Sequence, residues 1–108
     1  MRLPRTICSC LVLLLVSCRG LQDIAPAVQS GMAGDPQRLA EGRRVYLESC
    51  TGCHSLQAVD ELSAEKWDAV LPGMAKKAKL DPESAAKLSD YIMAARQWKA
   101  QTNTTAGP

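Results

Sequence analysis

The chain contains no phenylalanine, and only two Trp and two Tyr among 108 residues. A domain this short with so few aromatics has little large apolar side-chain surface for a core. No apolar run reaches the ~18 residues that a membrane-spanning helix needs. No alternating run reads as a strand, and there is no internal repeat. Neither sign of charge dominates: the formal net charge is +2, too even for a nucleic-acid-binding tail. A hydrophobic fraction of 46% is too high for a disordered chain, and the length allows one small domain. Paired carboxylates or a Ser/His/Asp set of defined spacing are missing, and the single histidine is the one obvious proton-transfer group. Against these absences stands one excess, five cysteines, an odd number and a high count for the length.

The first of these cysteines sit in an address. Arg2 and Arg5 precede an apolar stretch from Ile7 to Val16, the charged and hydrophobic regions of a secretory signal. Leu15-Val16-Ser17-Cys18 then resembles the bacterial lipobox. The resemblance implies a signal peptide over residues 1–17 and a Cys18 that is diacylated on sulfur, cleaved from Ser17 and acylated on its new amine. Several acyl chains at one site anchor a protein far more firmly than one. The expected location is the periplasmic side of a membrane, held by the lipid. An ordinary cleaved signal, leaving a soluble periplasmic protein, is the alternative. Removal of residues 1–17 leaves eleven basic residues against eleven acidic ones. The mature chain is then formally neutral and carries no sign of a nucleic-acid partner.

Residues 18–35 contain Pro26, Gly31 and Gly34 with no sustained period, and read as a flexible tether reaching roughly 20–25 Å on average. Asp35-Pro36 is an N-cap followed by Pro at N1, predicting a helix over about 36–49 with Leu39, Gly42, Arg43, Tyr46 and Leu47 at helical spacing. Ser63-Ala64-Glu65 starts a second, short helix carrying Trp67, Val70 and Leu71, which Pro72-Gly73 is expected to end. Asp81-Pro82 opens the longest helix, about 82–100, with Leu88, Tyr91, Ile92 and Ala95 as its apolar stripe. Residues 101–108 read as a polar, disordered tail.

The informative string is Cys50-Thr51-Gly52-Cys53-His54. Two thiols at i and i+3 lie on one side of a helical turn. That spacing suits addition to the two vinyl groups of a haem, with the next residue, a histidine, as an axial iron ligand. With this composition the string arises by chance in about 0.002 of chains. A structural zinc site, a dithiol redox pair and a disulfide are the other readings. Zinc needs four ligands, and the mature chain offers Cys50, Cys53 and His54 unless a carboxylate joins. A thioredoxin-like motif needs a βαβ context that is absent.

Over residues 36–100 the chain resembles the small monohaem class I cytochromes c of bacteria. The resemblance rests on Gly42-x-x-x-Tyr46-x-x-x-Cys50-Thr51-Gly52-Cys53-His54, on Met74 and on Leu88-x-x-Tyr91-Ile92. It implies an all-α, compact cytochrome c-like fold of about three helices around one covalently bound haem c. In that family the first and last helices cross at a glycine beside aromatics, for which Gly42, Tyr46 and Tyr91 are the candidates. Covalent attachment falls on Cys50 and Cys53, and the axial iron ligands on His54 and a methionine. Met32 lies in the tether and Met93 opposite the apolar stripe, so Met74 is the expected sixth ligand. His54 and Met74 are only twenty residues apart, so this would be a trimmed version of the fold with one short middle helix.

The resulting expectation is an electron carrier, not an enzyme, alone or as a subunit of a larger redox complex. Its partners would be redox proteins, with Lys76, Lys77 and Lys79 able to steer an acidic one. A haem-based sensor or small-ligand binder with an open or displaceable sixth site is the alternative. A haem would also supply the flat apolar surface that the missing phenylalanines do not.

Overall fold

The computed structural model describes residues 20–50 and 56–105. Among these the protein is all-helical: α1 (Pro36–Ser49), α2 (Ala64–Lys77) and α3 (Pro82–Thr105), with a helical turn over residues 20–24 and no strand. No described helix is long and apolar enough to cross a membrane.

The polar-capped starts arise from local chemistry. The Asp35 carboxylate accepts the Arg38 N–H at 2.9 Å, and Pro36 spends no backbone donor at N1. Ser63 Oγ accepts the Lys66 N–H at 3.2 Å. Before α3, Asp81 accepts from the Ser84 N–H at 2.8 Å and from its hydroxyl at 2.9 Å. These bonds hold the Asp81 carboxyl below its ordinary range, because they favour the ionised form.

α1 packs along α3 much more extensively than α2 does. The approach is closest at Gly42. A Cβ placed there would stand 2.1 Å from the Lys87 carbonyl oxygen and 2.8 Å from Tyr91 Cβ. Hydrogen in place of a side chain lets the two backbones meet. Leu39, Tyr46, Leu88, Tyr91 and Ile92 are buried around that contact. Its rim is charged: Arg38 pairs with Glu83 at 2.6 Å and Asp90 at 2.7 Å, and Lys87 with Glu41 at 2.5 Å.

Three expectations are corrected. α2 does not stop at Pro72-Gly73 but continues through them to Lys77. Pro72 removes one helical N–H, which favours a break. The helix persists because Trp67, Leu71 and Met74 fall on one stripe, with Trp67 and Leu71 buried and Met74 packed on the core. Tertiary packing here outweighs local propensity. α3 does not end near residue 100 but runs to Thr105. Thr102 Oγ1 donates back to the Trp98 carbonyl at 3.0 Å and Thr104 Oγ1 to that of Ala100 at 2.8 Å. Finally, residues 20–35 are not a free tether: Ala25, Pro26 and Met32 are buried in the core.

Candidate functional site

α1 ends in the cysteine motif. Cys50 is its C-cap, with helical backbone angles and its N–H donated to the Tyr46 carbonyl. Cys53 and His54 lie outside the described residues, as does Cys18. The chain re-enters at Leu56, and two aromatic side chains hold the residues just beyond it. The Tyr46 hydroxyl donates to the Gln57 carbonyl, and Trp67 Nε1 donates to the Val59 carbonyl at 2.8 Å. Tyr46 and Trp67 also meet edge to face, with centroids 6.2 Å apart and planes at 79°. Helices thus hold the described residues on either side, Cys50 through the α1 C-cap and Gln57 and Val59 through Tyr46 and Trp67. Burial pushes the Tyr46 hydroxyl far above its ordinary pKa, and the neighbouring Cys50 adds to this. Tyr46 thus stays a neutral donor.

Met74 reaches the same place from α2. It lies seven residues after Trp67 and so on the same helical face. Cys50 and Met74 both line a cavity of about 160 Å³, with Ala75, Ala78, Leu80 and Leu88 forming an apolar wall and Lys77 at its edge. They also both border a smaller cleft lined by Tyr46, Leu56 and Trp67. Of the predicted site residues that are described, the structure brings Cys50 and Met74 to one apolar site. The other methionines are elsewhere. Met32 is buried in the core, which corrects its assignment to a tether. Met93 borders a separate groove beside Asp35 and Arg38.

The turn after α2 completes the wall. The Lys79 N–H donates to the Lys76 carbonyl at 3.1 Å and the Leu80 N–H to the Ala75 carbonyl at 3.0 Å. Lys79 takes a left-handed backbone angle, φ 57°. This is a Schellman ending, with lysine where glycine is usual. It turns Leu80 back to the cavity. Neither this turn nor its role in the wall was anticipated from the sequence, where Lys79 read only as one charge among three. Lys76, Lys77 and Lys79 remain exposed.

The residues present suit a c-type haem by donor chemistry. A thiol able to form a thioether and a thioether able to bind iron border one cavity, and its wall is nearly free of competing polar groups. The cavity is smaller than a whole porphyrin and is open on one side. Compared with protein-family models, curated proteins and solved structures, the chain matches none.

Proposed function

We propose that the protein is an electron carrier with one covalent haem c, built as a trimmed class I cytochrome c and anchored by lipid on Cys18 at the periplasmic face of a membrane. The observation that carries the reading is that Cys50 of the Cys-x-x-Cys-His string and Met74 border one apolar cavity. Cys50 and Cys53 would hold the group covalently, and His54 and Met74 would ligate its iron. When bound, the haem supplies a reversible one-electron couple at iron.

The chain's own residues do the rest. The thioether of Met74 is a soft ligand, and Ala75, Ala78, Leu80 and Leu88 keep water from the site, both of which favour the reduced state and raise the potential. Tyr46 and Trp67 pin the loop after His54, limiting rearrangement when the charge changes. Lys76, Lys77 and Lys79 give that edge a positive field that speeds encounter with an acidic redox partner. The close approach of α1 and α3 at Gly42 beside Tyr91 supports the cytochrome c-like arrangement.

Optical spectra of the purified mature protein in both oxidation states test the reading. The expected result is a low-spin c-type spectrum with the weak charge-transfer band of a Met–Fe(III) bond. Met74→Ala is expected to abolish that band and lower the potential. A colourless protein from cells equipped for haem attachment would overturn the proposal. Rapid, complete conversion of the reduced parent to a CO adduct would instead favour a sensor with an open sixth site.

A further inference from the structure

The segment before α1 is held in a way that electron transfer does not require. Four consecutive carbonyls accept hydrogen bonds from four different places. The Asp23 carbonyl takes Lys99 Nζ, which also pairs with Asp60 at 2.7 Å. The Ile24 carbonyl takes the Val59 N–H at 3.0 Å. The Ala25 carbonyl takes Arg43 Nε at 3.0 Å, and the Pro26 carbonyl takes the Tyr91 hydroxyl at 2.8 Å. Ala25 is fully buried. A Cβ on Gly31 would touch the Trp98 ring at 3.3 Å, so the strap lies against α3 there as well.

The first held residue, Asp23, is five positions from Cys18. Five residues span at most about 18 Å, whereas a free run to Asp35 would span up to about 60 Å. Leu21, three positions from Cys18, is 45% exposed and is the only large hydrophobic side chain exposed among the described residues. Both facts point one way, to a surface that takes acyl chains and a leucine together.

We propose that the strap seats the domain directly on a phospholipid bilayer. Leu21 enters the interface beside the acylated Cys18, and the strap end, with the loop over residues 59–61, faces the lipid. The proposal rests on the reading of Cys18 as the lipid-carrying residue. Leu88, at the cavity, is eleven residues from Lys99 and so about 16 Å away along the α3 axis. The seat thus holds the cavity off the bilayer, where a soluble partner reaches it.

The test uses the acylated, haem-loaded full chain in phosphatidylcholine vesicles containing a lipid-bound nickel chelate. A nitroxide is placed at Glu61→Cys, exposed three residues before α2, or at Lys76→Cys, exposed in its last turn; the helix between them accounts for about 18 Å along its axis. In the reduced protein, relaxation enhancement by the surface nickel is expected to be severalfold greater at position 61 than at 76. Loosening the strap with Arg43→Met and Lys99→Met together should bring the two values together, with the far-ultraviolet spectrum confirming that the helices persist. Equal enhancement at both sites in the parent chain, with Cys18 shown by mass to be acylated, overturns the seat alone. A mass showing unmodified Cys18 in chain isolated from membranes overturns the anchor reading, and the seat with it.

Discussion

Replacing Gly42 by alanine tests the contact on which the fold depends. The added Cβ would stand 2.1 Å from the Lys87 oxygen, 2.7 Å from its carbonyl carbon and 2.8 Å from Tyr91 Cβ. Two of these are α3 backbone atoms, so no rotamer change relieves the overlap. An ordinary contact begins at 3.4 Å, so the helices must part by roughly 1 Å at this point, and a gap of that size already forfeits a quarter to a half of each dispersion contact. Overpacking of a core typically costs about 1–3 kcal/mol, and a backbone clash belongs at or above the upper end. Alanine's better helix propensity returns about 1 kcal/mol. The net loss is about 2 kcal/mol or more, a fall in Tm of roughly 8–16 °C for a domain of this size. Gly73 is the control, since a Cβ there meets nothing within 4 Å. Gly73→Ala gains about 0.5–1 kcal/mol from propensity alone. Thermal unfolding of the mature protein, followed at the helical circular-dichroism band, should move in opposite directions for the two variants. A Gly42→Ala protein that melts with or above its parent would refute the close helix contact.

Local geometry sets two further outcomes. Lys79 sits at φ 57°, where a side chain costs about 1 kcal/mol relative to glycine, so Lys79→Gly should raise the urea midpoint with an unchanged m-value. A midpoint that falls would mean the Schellman turn is not the ending of α2. Burial also pushes the Tyr91 hydroxyl up to about 12 from an ordinary 10.0, and that of Tyr46 in the same direction. The unfolded chain then loses its phenolic protons first. Stability is complete below about pH 10 and falls as the pH climbs towards about 12, by up to about 1.4 kcal/mol per unit for each tyrosine. Urea unfolding across that range measures the slope, which Tyr91→Phe should reduce. An unchanged slope in that variant would remove Tyr91 as its source.

Where the sequence could be read, the cause was local. Asp35-Pro36 states the start of α1 because the carboxylate and the missing proline N–H act within one turn. The stripe Leu88, Tyr91, Ile92 and Ala95 is buried as its period requires. Gly42 and Tyr91 meet as the resemblance implied. The features that could not be read depend on partners far along the chain. The strap has no period because it is held through its carbonyls and through scattered buried side chains, Ala25, Pro26 and Met32, that share no regular spacing. Its donors lie between 18 and 76 residues away. The tail past residue 100 is helical, with the Thr102 and Thr104 hydroxyls bonded back to carbonyls of the preceding turn, in the same residues that made it look like a polar coil. Met74 was singled out through the resemblance, with Pro72-Gly73 expected to end α2 before it, whereas the helix continues through both and carries Met74 beside Cys50.

That difference bears on how well the site would serve the proposed electron transfer. On a loop, Met74 would depend on its own turn for position. On α2 it shares a face with Trp67, whose indole is bonded to the Val59 carbonyl at 2.8 Å, and it precedes a helix ending closed by two further backbone bonds. A side chain held on a rigid element keeps its geometry better than one on a loop, which the proposed carrier would need in a site that changes little between two charge states. The break in this support is the backbone bond that Pro72 cannot donate. Pro72 and Gly73 are both exposed, so the weak turn faces solvent, while Trp67 and Leu71 stay buried behind it. Any give in α2 therefore bends the helix on its outer face and leaves the inner stripe, with Met74 at its end, against the core.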